Sequence, residues 1–373
     1  MNKLAKNKFV IILLLMVVFL FFGSVTNTLV LNNRGIVVGM GLHLTESGDI
    51  GVACQILVAG DMGADNANND NYAVLTSSGK TFGEATQKML VDSAEFMSYA
   101  HCNSVIVDRK MVESGKLFLV LDELLKNSKI TENTQLVYYE GDPAELLKKK
   151  VGINLMASFA IQRMISGSKR YVDVAPCTIR DYLVAVKSDA VCVMPKVVVE
   201  DGIDEPTTSN EQKGENKVIL SVREGVCLTG DEIVKELTIE EVGYYNIMEK
   251  DFDRGVFFVT IDGEARSVEF RKKAVEKEFS QDGKVKTKVE IEVVESLLIS
   301  DSEGRKEGEK EEISNKISLV LAQGIEKLHE DIKKMKKDIF SLHEEFVQRY
   351  GEQKGKQYSE IEMSVGVKTT LKT

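Results

Sequence analysis

The chain has no tryptophan, four prolines and four histidines among its 373 residues. So few prolines, with 28 glycines, exclude collagen-like and Pro-rich architectures. The histidines are His43, His101, His329 and His343, and they form no HExxH or HxH pattern. That removes the common zinc-hydrolase signatures. His329 and His343 stand too far apart along one helical stretch to share a metal. Nor is there a GxSxG, a Walker A or a GxGxxG motif. The five cysteines are Cys54, Cys102, Cys177, Cys192 and Cys227. Their number is odd, and no pair has the short spacing of a zinc or redox motif. Most read as small buried hydrophobes. A disulfide between Cys177 and Cys192 stays open, with nothing in the spacing to support it.

Positive charge is scarce. The balance is 48 Lys+Arg against 58 Asp+Glu, net -10. Lys3, Lys6 and Lys8 are the cations of residues 1–23, so the rest carries 45 against 58, net -13. A body that acidic is a poor partner for nucleic-acid phosphates or anionic lipid. No nucleic-acid partner is expected.

One long apolar run is present. Phe9–Phe22 holds fourteen apolar residues without a polar interruption, behind the three lysines. This is the pattern of an export signal. Extended to Leu31 it reaches the ~20 residues a bilayer span needs. The lysines stay cytoplasmic by the positive-inside rule, so all that follows lies outside. No Ala-x-Ala cleavage signal follows, so residues 1–31 are expected to be an uncleaved anchor, with cleavage as the second choice.

The remainder reads as an α/β (α+β) protein of mixed sheets with helices, in two extracytoplasmic domains. Domain 32–199 alternates strands and helices. Gly35–Leu44, Ile50–Val58, Tyr72–Ser77, Asn103–Val107 and Gln135–Tyr139 read as strands. Thr81 with Glu84 forms a capping box for a helix from Phe82. Met111–Asn127 is one amphipathic helix, and Pro143 sits at the first position of another. Residues 200–216 are almost without apolar content and read as a linker.

Domain 217–373 is strand-rich, although Asp231–Leu237 looks helical. Asp282-Gly283 joins two alternating runs as a hairpin. Val285, Thr287, Val289, Ile291 and Val293 form the dry face. Residues 312–350 read as one long helix. Its apolar stripe runs through Ile325, Leu328, Ile332, Met335, Ile339, Leu342 and Phe346. That spacing fits a coiled coil or packing on the chain's own antiparallel sheet; the uncovered dry face favours the second. Glu362–Leu371 is a closing strand.

Chemistry-bearing residues are few. His101-Cys102 is the one conceivable nucleophilic dyad, but sequence neighbours rarely aim at one another. Asp251 and Asp253 suggest a turn rather than a cation loop. Gly39-Met40-Gly41 reads as a site of close backbone approach. No catalytic residue, cofactor or metal is expected.

Several fragments carry a resemblance. They are Arg34-Gly35-Ile36-Val37-Val38, Thr76–Ala85 (TSSGKTFGEA), Tyr99-Ala100-His101, Gly141-Asp142-Pro143-Ala144-Glu145-Leu146-Leu147, the segment Gly225–Ile233, and Lys337-Asp338-Ile339-Phe340 with Arg349-Tyr350. In this order the chain resembles the Ger(x)C spore germination family, the C subunits of bacterial spore germinant (nutrient) receptors. The resemblance implies a non-enzymatic subunit on the outer face of the spore inner membrane, acting with multi-span A and B subunits. The family is usually lipoprotein. Ser24 stands where the lipidated cysteine is expected and has no thiol to acylate, which favours the membrane-spanning anchor. The alternative is an extracytoplasmic solute-binding protein with a cleft between residues 32–199 and the rest. An envelope hydrolase would need a nucleophile that the sequence does not offer.

Overall fold

The structure, a computed structural model, describes residues 13–14, 16, 34–57, 72–93, 96–151, 155–167, 172–188, 190–201, 218–250, 254–261, 264–294, 307–351 and 361–372. The expected anchor lies outside them apart from Leu13, Leu14 and Met16, which are helical and exposed. Among the described residues no helix is long and apolar enough to cross a membrane.

A large mixed sheet begins with β1 (Arg34–Leu44), β2 (Ile50–Leu57) and β3 (Tyr72–Gly79), paired antiparallel in the order β3-β2-β1. On the other side of β1 lie β5 (Ser104–Val107), β6 (Gln135–Tyr139), β9 (Cys192–Asp201) and β10 (Val218–Thr229). Short strands β4 (Phe96–Ser98), β7 (Lys150–Val151), β8 (Leu155–Met156) and β11 (Glu232–Leu237) complete the sheet. β1, β5, β6 and β9 run parallel, so crossovers must cover both faces. α1 (Phe82–Ser93), α2 (Arg109–Glu113), α3 (Leu117–Asn127) and α6 (Ile179–Ser188) bury Phe82, Met111, Leu121 and Tyr182 on one face. α4 (Pro143–Lys148) and α5 (Ala157–Ser166) bury Leu146, Leu147 and Ile161 on the other. Gln55, fully buried, fastens that second layer. Its Nε2 donates to the Leu147 carbonyl at 2.7 Å, and its Oε1 accepts from Ser158 Oγ at 2.5 Å.

β9 and β10 pair antiparallel from Asp201↔Val218 to Cys192↔Leu228, so the strands flanking residues 202–217 belong to one sheet. Asp231–Leu237 is corrected from helix to strand. Gly230, at φ +59°, and Asp231 form a two-residue turn that folds β11 back on β10. The helix comes after it, as α7 (Ile239–Glu249), opened by a capping box between Thr238 and Glu241. Met111–Asn127 is likewise two helices, α2 and α3, separated at Gly115 with φ +70°.

The second sheet has the order β12 (Gly255–Ile261), β13 (Glu264–Phe279), β14 (Lys284–Val294) and β15 (Glu362–Lys372). It is mixed rather than antiparallel: β15 runs parallel to β14, because a long helical crossover separates them. Val285, Thr287, Val289, Ile291 and Val293 are all buried.

The helix expected over 312–350 is corrected to α8 (Glu307–Lys334) and α9 (Leu342–Tyr350). A Schellman motif ends α8: Lys336 has φ +59°, its N–H donates to the Lys333 carbonyl, and Lys337 N–H donates to the Ile332 carbonyl. Asp338 then accepts from the amides of Phe340 and His343 and starts α9. Met335, on the expected stripe, is therefore exposed.

α8 lies on the second sheet through Ile317, Leu321, Ile325, Leu328 and Ile332, each at most 1% exposed. Each such side chain contributes roughly 1.5–3 kcal/mol on burial. Polar contacts fix the fit. Glu326 accepts from Val365 N–H and Ser318 Oγ from Thr369 N–H, so α8 satisfies amides of the edge strand β15. Lys277 on β13 ties α7 to α9, donating to Glu249 at 2.9 Å, the Phe340 carbonyl at 3.0 Å and Glu345 at 2.7 Å. Burial opposes its charge, but the carboxylates of Glu249 and Glu345 outweigh it and raise its pKa.

Candidate functional site

The parallel strands β1, β5 and β6 end side by side at Leu44, Val107 and Tyr139. After β5 the chain turns into α2, with the Asp108 carboxylate accepting from Met111 N–H at 2.7 Å. After β6 it turns into α4, with Asp142 accepting from Ala144 N–H at 2.8 Å. These two helices cover opposite faces of the sheet. Adjacent strand ends that send their chains to opposite faces leave a crevice, the usual ligand position in open α/β sheets. A cleft of about 460 Å³ opens there, lined by residues 43–46, 108–110 and 140–142.

His43 is placed by Gly51, its partner on β2. A Cβ at Gly51 would stand 2.2 Å from the imidazole, so the glycine leaves the space the ring occupies. Nδ1 of His43 is buried and has no hydrogen-bond partner among the described residues. Arg109 is already engaged, with Glu140 at 2.9 Å, Glu113 at 3.2 Å and Glu236 of β11 at 2.8 Å. These pairs are more than a third exposed, so each is worth at most about 1 kcal/mol and serves mainly to orient the side chains. Tyr138 donates to Glu140 at 2.6 Å. Burial raises the pKa of Asp108, although Met111 N–H and His43 oppose the shift. Four carboxylates (Glu46, Asp108, Glu140, Asp142) face Lys110 and the committed Arg109, so the cleft is acidic. Concave and acidic, it suits a small solute with a cationic group.

The residues singled out in the sequence lie elsewhere. His101 is exposed, whereas Cys102 is buried and its thiol donates to the Ser104 carbonyl. Burial pushes that thiol up to about 12, far from a thiolate nucleophile at neutral pH. Asp251, Asp253 and Ser24 lie outside the described residues. The glycines of Gly39-Met40-Gly41 do mark close approach: a Cβ at Gly39 would meet Ser158 Cβ at 2.4 Å, and one at Gly41 would meet Pro143 at 2.7 Å. His329 and His343 fall on different helices. Among the described residues no cluster of His, Cys, Asp and Glu could hold a metal ion. The cleft between residues 32–199 and the rest, expected for a solute-binding protein, is not where the crevice lies; all its lining residues fall between 43 and 142. The signal for it was the polar turn after β6, Glu140-Gly141-Asp142, which the sequence offers only as a helix start.

The chain matches two family profiles in sequence order. Residues 27–199 match the spore germination protein N-terminal domain, and residues 224–373 the C-terminal domain described as spore germination B3/GerAC like. No curated protein matches the chain. Among solved structures it is similar to the crystal structure of the GerBC protein, with a TM-score of 0.51 and 12% identity, covering 90% of this chain and 97% of that one. At that identity the likeness speaks for the fold, a mixed α/β arrangement of helices and sheets. Two domain matches in order, spanning most of the length, place the chain in the Ger(x)C spore germination family.

Proposed function

We propose that the chain is the C subunit of a spore germinant receptor, held at the spore inner membrane by residues 1–31 with its body on the extracytoplasmic face. It acts without catalysis, by assembling with membrane-spanning A and B subunits in nutrient-triggered germination. The ordered match to both family domains carries this reading. The uninterrupted apolar run behind Lys3, Lys6 and Lys8 supports the anchor. Tethering confines the body to the membrane plane and raises its effective concentration beside its partners. The test is affinity purification of the tagged full chain from detergent-solubilised spore inner membrane. Two multi-span proteins encoded next to it are expected in stoichiometric yield; recovery of the chain alone would contradict the assembly.

The acidic cleft favours a second reading, direct binding of a small solute. Calorimetry of the body with amino acids and sugars distinguishes the two, since saturable heats abolished by His43→Ala would support solute binding at the cleft.

A further inference from the structure

Cys177 and Cys192 bracket α6: the first lies two residues before the helix, the second opens β9. Their Sγ atoms are 3.3 Å apart, and the residues are 1% and 6% exposed. Closing that gap to a bond of about 2.05 Å needs roughly 1 Å of movement. Cys227 and Cys102 are turned elsewhere. Cys227 stands opposite Val193 in the β9–β10 ladder and belongs to the core on the other face of the sheet from Cys192. The Cys102 thiol is directed at the Ser104 carbonyl. Cys54 and Cys102 share one core and interact electrostatically, but Cys177 and Cys192 are the pair whose thiols meet within hydrogen-bonding distance.

We propose that Cys177 and Cys192 are joined by a disulfide in the native protein, a covalent staple that closes α6 onto β9. The inference rests on the extracytoplasmic placement proposed above, because that side of the membrane permits disulfides. The oxidant is a disulfide-bearing thiol oxidoreductase or small disulfide, R–S–S–R. One cysteine thiolate attacks a sulfur of R–S–S–R, forms the mixed disulfide and releases one R–S⁻, which takes up the proton the cysteine lost. The second cysteine attacks the protein sulfur of the mixed disulfide, closes the Cys177–Cys192 bond and releases the second thiol. Two electrons and two protons pass to the oxidant, and the protein loses two hydrogens. The hydrogen bond shared with the Cys192 thiol, together with burial, holds the Cys177 thiol well above its usual range. A buried pair of this kind reacts while the chain is folding and is shielded from reductants afterwards.

The experiment maps peptides under non-reducing conditions after trapping free thiols with N-ethylmaleimide, on the full chain in two preparations. One is taken from membranes. The other is reduced, unfolded and refolded in a glutathione redox buffer. A Cys177–Cys192 cross-linked peptide in both, with Cys54, Cys102 and Cys227 alkylated, is the expected result. The thermal midpoint should also fall on reduction in the wild type and not in the Cys177→Ala/Cys192→Ala variant. Failure to cross-link on refolding overturns the pair whatever the compartment. Cross-linking on refolding, but two free thiols in membrane-derived protein, overturns the native staple and points to the compartment as the cause.

Discussion

His329 should make the protein's stability depend on pH in a way set by one buried ring. It is fully buried on α8 and stacks on Phe340 with ring centroids 6.3 Å apart at 15°. Burial, with Lys333 one turn away, pushes its pKa down from 6.5 to about 4; the Glu330 carboxylate, 4.0 Å from Nε2, is exposed and too weak to reverse that. At 1.36 kcal/mol per unit, charging the ring in the folded state costs on the order of 3 kcal/mol. The folded pKa lies below the unfolded one. The stabilisation is therefore whole above pH ~6.5 and is lost progressively as pH falls to about 4. The measurement is urea unfolding of a chain lacking residues 1–31, from pH 7.5 to 4, beside His329→Gln, which cannot titrate. Carboxylates titrate alike in both proteins and cancel in the difference. The free-energy gap between wild type and variant should shift by about 3 kcal/mol toward the variant over that interval. Parallel curves, or an imidazole titrating near 6.5 by NMR, would mean that burial does not hold the ring neutral.

Two further perturbations test the packing. Lys277→Met should lower unfolding free energy by about 3 kcal/mol in chemical denaturation, because Glu249 and Glu345 lose the cation that neutralises them in a mostly buried site; a change below 1 kcal/mol would place those carboxylates in water. Gly324→Ala separates two effects of opposite sign. Helix propensity favours alanine by about 1 kcal/mol, but its Cβ would stand 2.1 Å from the Tyr244 ring, and overpacking of that kind costs about 1–3 kcal/mol. Net destabilisation is expected in thermal melts, and a stabilised variant would mean that α7 and α8 are not so close.

Local signals were legible wherever one residue dictates one conformation. Thr81 accepts from Glu84 N–H while Glu84 accepts from Lys80 N–H, Asp142 caps the helix that Pro143 opens, and Gly283 at φ +88° turns β13 into β14. Misreadings arose where tertiary contacts or short-range competition decide. Asp231–Leu237 carries an ambiguous apolar spacing, and the Gly230 turn with pairing to β10 makes it a strand. The capping box at Thr238 and Glu241 is the sequence signal for the helix that follows the strand. The stripe through Met335 keeps its heptad spacing across a helix break that only the left-handed Lys336 reveals. The cleft was illegible for a different reason. It is assembled from three strand ends between residues 43 and 142, and which face each following helix takes is a property of the sheet.

The proposed function stands on tethering to a membrane-spanning complex on the outer side of the spore inner membrane. A strain whose only copy of this gene lacks codons 2–31 tests it most directly, scored for nutrient-triggered germination with the truncated body's fold checked by circular dichroism. A folded body with loss of the nutrient response is expected. Full germination with an untethered body would contradict it.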